Sequence, residues 1–519
     1  MALPVYAFRA APSVLYGDSA EMQTVAQVGG VAHATGYPTF ILLGQLFSHL
    51  GWADHAYRIT FMSSFFGAAA VTTVVLLLTE IGIPALVAFA GALIYGGTFT
   101  FMSAAVRSEV YTLAVFLSVL ALWRTLVALR SHRDRDILLA GFLLGVSLTG
   151  HLAFAIPVMV LGLALAWSVF AARRARAFPM LLLLLGVFLA GLTPYLYLVW
   201  ADAGGLPMDA LRIADRSYNP LGRPDPSFDN PWERVWWLVT GRGTMPVAPL
   251  EFPPRGLRGR MLASACILFV IELGPLALPL AIAGLRREWR GNRGRAALVA
   301  VMAALSAMFA VVIVETWMLL IFLIPCVIYT LVFVVRGLEG LAQGLVRRRG
   351  GGLVPRAALC LLAPLIVLAP AHGARHWLEA HPIPRLNFRF EEEAYLHTRA
   401  FLPTLRGTWG PRRFGEEALA VIPRGSMVVA RWRELTNLFY FQLVEDRRPD
   451  LVLQPWNYPP VLLAIERWQR THAPSERPVV FVGTLPEIEP HFTAVDSLRL
   501  PMGTRIVIAR HRLRSLDRP

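Results

Sequence analysis

Lysine is absent from all 519 residues, so each of the 49 basic residues is an arginine. Charge of either sign is scarce: 16% of residues are charged, against roughly 25% in a soluble domain. With 56% hydrophobic residues and a mean hydropathy of +0.53, such a chain would aggregate in water. The net charge of +15 invites a nucleic-acid reading, but no basic, aromatic-interleaved surface accompanies it, which argues against that partner. A lysine-free sequence rich in Ala, Arg and Leu fits a GC-rich bacterial genome. Cysteine is also sparse, and Cys266, Cys326 and Cys360 all lie in apolar runs. They read as small buried hydrophobes rather than metal ligands or a disulfide framework. From residue 372 onward neither a glycine-rich phosphate loop nor a metal-spaced His/Cys set occurs, so nucleotide binding is not indicated there. Internal repeats and the inverted halves of many secondary transporters are not evident.

Long apolar runs take their place. Stretches near the ~20 residues that cross a bilayer recur at 57–80, 84–104, 108–129, 136–150, 152–171, 177–200, 261–285, 295–315, 317–336 and 354–371. The fourth and fifth adjoin at Thr149-Gly150-His151, where a tilt or break is expected. Arginines gather at Arg130 to Arg135, Arg173 to Arg176, Arg286 to Arg295 and Arg347 to Arg349. Walking the spans puts these loops on one side, which the positive-inside rule makes the cytoplasm. Residues before 57, near 104–108, near 150, at 201–260 and after 371 are then outside. The expected fold is an α-helical polytopic membrane protein with a small C-terminal α/β extracytoplasmic domain. Its expected domains are 1–371, with outer loops 18–56 and 201–260, and 372–519. The cell (inner) membrane is the expected location.

Outside the spans, 38–51 is an apolar helix too short to cross, and 19–31 is its expected amphipathic companion. Trp232, Trp236 and Trp237 in the loop 201–260 suit an interfacial lid over a lipid substrate or an aromatic belt equally. Past 372, strand-like runs at 426–432, 451–455, 478–483 and 505–509 alternate with helical patterns at 411–420, 435–446 and 460–471. That alternation reads as an α/β domain with a mostly parallel sheet.

The segment YGDSAEMQTVAQVGGVAHATGYP at 16–38 holds the densest polar chemistry. Asp18 and Glu21 share a face near the positive start of a helix, although Asp18 also suits an N-cap. Glu109, at an outer span end, needs a partner or a function, and Arg107 is the candidate partner. His151 lies on the same side, as either a structural residue or a ligand. Glu272 sits near the middle of a span without a role, and Glu315 at the outer end of another. Together Asp18, Glu21, His33, Tyr37, Arg58, Glu109 and His151 map to the outer face. A cleft lined by acids, with cations to hold phosphate, is what transfer from a lipid-phosphate donor needs.

GDSAEM, AHATGYPTF, AYRITFMSSFFGAAAV and RSEVYTL, then SFDNPWERVWWLVTGRG and RWRELTNLFYFQLVEDRRPDL, resemble the membrane protein O-mannosyltransferase family, formerly a domain of unknown function. More broadly, an acid in the first outer loop, a juxtamembrane helix and an arginine before the next span resemble the GT-C glycosyltransferase superfamily. The resemblance implies Asp18 as catalytic base and Glu21 as the second acid. It implies His33, Tyr37, Arg58, Glu109 and Tyr111 as motif residues; Arg107 and His151 remain substrate-binding candidates from their place at the outer face. Two departures are that the family's usual HPPGYP reads His33-Ala34-Thr35-Gly36-Tyr37-Pro38, and that its first span is expected to be missing from this sequence.

The resemblance implies an inverting glycosyltransferase. It would move a hexose, with mannose the sugar of the family, from a polyprenyl-phosphate donor to an extracytoplasmic hydroxyl of a protein or glycan. No cofactor is required by this reading, though the acids admit a divalent metal. A transporter or flippase of a lipid-linked glycan, for which Glu272 argues, and a non-catalytic membrane scaffold are the alternatives.

Overall fold

The structure is a computed structural model. It describes residues 1–174, 177–209, 230–240, 255–313, 322–349, 353–381 and 402–511, apart from 457–459, 474–475, 484, 486–491 and 502–503. Glu315, most of the loop 201–260 and the start of the expected span 317–336 therefore lie outside the described residues. Two compact units emerge: 1–10 with 63–195 and 248–405, and 11–62 with 196–247 and 406–519. The boundary expected at 371/372 falls inside the first unit, and the outer-loop segments group with the C-terminal residues instead.

The first unit is helical. Among the described residues of the whole chain, six helices are long and apolar enough to cross a membrane, and eight if each of two bent helix pairs counts as one span. The expected span 84–104 is one of these pairs, Ala85–Gly96 and Phe99–Ala105, bent by 75°. The other pair, Ala265–Leu273 and Ala277–Gly291, bends by 90°. The expected span 136–150 is the 15-residue helix Asp134–Leu148, and 354–371 lies within Leu353–Ala380. The protein is a multi-pass membrane protein.

Burial sorts these helices. The window of Ile324–Gly344 is 83% buried and that of Ala177–Gly204 only 17%, so the former is packed among other helices and the latter leaves Leu182, Leu185 and Leu189 exposed. The buried acids Glu272, Glu288 and Glu339 are paired inside the unit. Thr100 donates its backbone N–H and hydroxyl to Glu272 at 3.2 and 2.5 Å, joining the two bent pairs at their breaks. Arg336 donates to Glu288 at 2.7 Å, to Glu339 at 2.8 Å and to the carbonyl of Ile81 at 2.6 Å. Glu288 also takes Arg295, so some loop arginines close a buried ionic network as well as marking topology.

The second unit contains the expected juxtamembrane pair, helices Gly17–Val28 and Pro38–Ser48. They cross at a glycine: a Cβ on Gly44 would come 2.5 Å from that of Ala26. Strands β1 (Gly30–Val31) and β2 (Met208–Asp209) pair in parallel. Gly30, at φ +140°, allows this approach, since a Cβ there would lie 1.7 Å from the Met208 carbonyl oxygen. Helix Pro231–Val239 opens with Asn230 capping the Glu233 N–H at 3.0 Å. Its Arg234 donates to both oxygens of the fully buried Asp202, from Nε to Oδ1 at 3.0 Å and from Nη2 to Oδ2 at 2.8 Å.

The C-terminal residues form a five-stranded sheet: β3 (Met427–Ala430), β4 (Val452–Pro455), β5 (Val479–Val482), β6 (Phe492–Arg499) and β7 (Arg505–His511), in the order β4-β3-β5-β7-β6. β3 and β5 are buried throughout, as continuous apolar tetrapeptides in a parallel pair should be. The sheet is mixed rather than mostly parallel. β7 runs antiparallel to β5 and to β6, and β6 is a strand that the sequence pattern did not yield.

Candidate functional site

The polar centre of the second unit is built on the start of helix Gly17–Val28. Its N-cap is Tyr16, without a side-chain cap hydrogen bond, and Asp18 falls within the first turn. The N-cap reading of Asp18 is therefore not the one realised. Freed from capping, the half-exposed Asp18 carboxylate accepts a hydrogen bond at Oδ1 from the indole N–H of Trp432, at 2.9 Å. Its Oδ2 lies 3.8 Å from Nε2 of His33.

Glu21, one turn along, is fully buried. Its Oε1 accepts the backbone N–H of His33 at 2.8 Å, and its Oε2 closes on His33 Nδ1. Both oxygens are thus turned to one residue, and Glu21 fixes how His33 is presented. Tyr37 completes the group. Its hydroxyl donates to the Ala34 carbonyl at 2.7 Å and stands 3.3 Å from His33 Nε2, while its ring meets the imidazole edge-on at 5.2 Å. Two carboxylates flank one imidazole, an arrangement that suits positive charge on the ring or on a bound ion. Ligating atoms of Asp18, Glu21 and His33 lie within 4.8 Å of one another. A carboxylate behind one ring nitrogen, with the other nitrogen turned to the ion, is how metal-binding histidines are commonly held.

Arg58 is placed differently. Its guanidinium donates to the carbonyls of Ser48, Trp52 and Ala53 at 2.8, 2.9 and 3.2 Å, closing the turn after helix Pro38–Ser48.

Arg107, Glu109, Tyr111 and His151 belong to the first unit, where Arg107 meets Glu109 and Tyr111 meets His151. Arg107 Nε is 3.5 Å from Glu109 Oε1, so the acid has the partner expected of it, and both residues are buried. Ser63 Oγ lies 3.1 Å from the Glu109 N–H. His151 Nδ1 accepts the Ala153 N–H at 3.0 Å, capping the 3-10 turn Leu152–Phe154. The Tyr111 and Phe322 rings pack on its imidazole.

Trp432 was not singled out from the sequence, although it sits in the quoted segment RWRELTNLFYFQ. It opens helix Trp432–Leu443, whose first turns lie along residues 15–18. Thr436 donates to the Gly17 carbonyl at 2.9 Å and Asn437 to the Leu15 carbonyl at 2.8 Å, while the Arg433 guanidinium covers the Tyr16 ring at 4.6 Å. Burial pushes the Tyr16 hydroxyl and the Glu434 carboxyl above their ordinary pKa values, with Arg433 opposing both shifts.

Residues 18–176 match the family model of the protein O-mannosyl-transferase TMEM260 N-terminal domain. That span holds every site residue read from the sequence and excludes Trp432. The resemblance drawn from the motifs is thus borne out over the matched segment. Among curated relatives, the protein O-mannosyl-transferase tmem260 of Dictyostelium discoideum is 44% identical over 69 residues, 13% of this chain and 8% of that protein. The mouse protein O-mannosyl-transferase TMEM260 is 28% identical over 193 residues, 35% of this chain and 26% of that protein. The chain therefore spans at most about a quarter of these relatives' lengths in the matched regions. Among solved structures, the archaeal oligosaccharyltransferase AglB from Archaeoglobus fulgidus, in complex with an inhibitory peptide and a dolichol-phosphate, is similar at TM-score 0.45 and 13% identity. The similarity covers 98% of this chain and 71% of that one. ArnT from Cupriavidus metallidurans, bound to undecaprenyl phosphate, is similar at TM-score 0.38 and 12% identity, over 98% and 96%.

Proposed function

We propose that this protein is an inverting glycosyltransferase of GT-C type, moving a hexose, mannose in the first instance, from a polyprenyl-phosphate donor to an acceptor hydroxyl on a protein or glycan. The observation that carries the reading is the Asp18 carboxylate. It is half exposed, held at one oxygen and turned at the other toward His33, within the segment that matches protein O-mannosyl-transferases. Asp18 takes the proton of the acceptor hydroxyl as its oxygen attacks the anomeric carbon. The bond from that carbon to the phosphate oxygen breaks, and polyprenyl phosphate leaves with the electron pair.

Glu21 keeps His33 in place, and His33 Nε2 faces both Asp18 and the Tyr37 hydroxyl. A divalent ion ligated by His33 would supply charge stabilisation for the departing phosphate. Glu109 and Tyr111 are proposed as substrate-binding residues through the motif resemblance, Arg107 and His151 through their expected place at the outer face, and Arg58 as a residue that shapes the loop. The reading sets residues 372–519 and the site outside the cytoplasm, in the inner membrane of a bacterial cell.

Transfer of radiolabelled sugar from polyprenyl-phosphate mannose to Ser/Thr-containing peptides, by the purified protein in proteoliposomes, is the test. Movement of the labelled lipid between leaflets without transfer would favour a flippase. The residue that argued for transport, Glu272, is held by Thr100 in the structure.

A further inference from the structure

The C-terminal residues reach the candidate base through one indole. Asp18 and Trp432 are separated by 414 positions, yet the Trp432 N–H meets Asp18 Oδ1 at 2.9 Å. An indole N–H is a donor only, so it cannot take the proton that a base accepts. It can hold one carboxylate oxygen and leave the other to react. The contact is fixed from behind: Thr436 and Asn437, four and five residues on, bind the carbonyls of Gly17 and Leu15, and Arg433 covers Tyr16. One helix face thus grips four consecutive residues ending at Asp18. The carboxylate itself is half exposed and would otherwise rotate among rotamers in solvent.

We propose that Trp432 is a positioning residue for the transfer reaction: its N–H fixes Asp18 Oδ1 so that Oδ2 is presented to the acceptor hydroxyl. The C-terminal α/β residues are then part of the catalytic apparatus, in addition to any part in recognising the acceptor. This inference rests on the functional reading above. It adds a residue outside the segment matching protein O-mannosyl-transferases.

The experiment uses the full-length protein in proteoliposomes, with radiolabelled polyprenyl-phosphate mannose as donor and a Ser/Thr-containing peptide library as acceptor. Trp432→Phe keeps the ring and removes the N–H. Hydrogen bonds to charged groups are strong enough that turnover should fall roughly tenfold to a hundredfold, while KM for the donor stays near wild type. Benzothienylalanine at 432, with sulfur in place of N–H on the same outline, should show the same loss and exclude a packing defect. Trp432→His, which keeps a ring N–H, should recover part of the rate. Combined with Asp18→Asn, Trp432→Phe should add nothing, because both act through one group. A wild type that transfers sugar, with Trp432→Phe at the same turnover, refutes this proposal alone. A wild type that transfers nothing refutes the functional reading and this proposal with it.

Discussion

At the scale of single residues, the sharpest expectation concerns Asp18. Asp18→Asn is nearly isosteric and keeps an oxygen for the Trp432 N–H, but an amide cannot accept the proton. Turnover should fall ~10²–10⁴-fold with donor affinity largely kept. Near-normal turnover would return Asp18 to a structural role. A second substitution tests the architecture without any assay of transfer. Asp202 is fully buried and Arg234 is its ion-pair partner, so Arg234→Met removes the guanidinium that holds a buried carboxylate. A loss of about 3–5 kcal/mol, read as a lower thermal midpoint, is expected. An unchanged midpoint would mean that helix Pro231–Val239 is not held by this pair. The four residues Asp18, Glu21, His33 and Tyr37 were legible in the sequence because they stand within 20 positions and their spacing is local. Trp432 was not legible, since nothing in a linear pattern pairs an indole with an acid 414 positions away. The engagement of Arg58 with three carbonyls was equally hidden, because those acceptors are backbone atoms that every sequence supplies.

At the scale of elements, helices Gly17–Val28 and Pro38–Ser48 depend on a close crossing. Gly44→Val would drive a branched side chain into Ala26, whose Cβ already stands 2.5 Å from where a Cβ on Gly44 would lie. Overpacking of this kind costs about 1–3 kcal/mol. Because the first helix carries Asp18 and Glu21, transfer should fall together with the thermal midpoint. Retained stability and rate would show that the helices separate freely. The C-terminal residues carry a pH signature of their own. Arg448, donating to both oxygens of Asp450, holds that carboxyl below its ordinary pKa, helped by the Gly425 N–H. A depressed folded-state pKa contributes stability that is present above the unfolded value of about 3.9. That contribution is lost as the pH falls below it, toward the folded-state pKa. Thermal midpoints should therefore drop on acidification below about pH 4, and Asp450→Asn should lower the neutral-pH midpoint while flattening that drop. The strands β3, β4, β5 and β7 were legible as short apolar runs between turns. β6 escaped because FTAVDSLR mixes charge into the strand. The two bent spans escaped because a hydropathy window averages over a break such as Gly97-Thr98, and composition does not register a 75° turn.

At the scale of the whole molecule, sidedness decides whether the proposed chemistry faces the right compartment. The described helices allow a parity argument from one loop onward. Arg293–Ile313 begins among Arg293 and Arg295, Ile324–Arg349 ends in Arg347 to Arg349, and Leu353–Ala380 follows. Arginines beside span ends favour the cytoplasm, so a chain entering the first of these helices from the cytoplasm returns with the second and leaves with the third. With all three helices crossing, residue 381 is expected on the opposite side from residue 291. A phosphatase reporter fused after His381 should then be active and a cytoplasm-only fluorescent reporter at the same position dark. The same reporters placed after Gly291 should give the reverse. Matching signals at 291 and 381 would break the parity and mean that one of the three helices does not cross. Inverted signals at both would put residues 382–519, and Trp432 with them, in the cytoplasm. A lipid-linked donor would then offer no advantage over a soluble nucleotide sugar, and the glycosyltransferase reading would lose its reason for a membrane-embedded frame. The two failures are separable because the first changes one reporter and the second changes both.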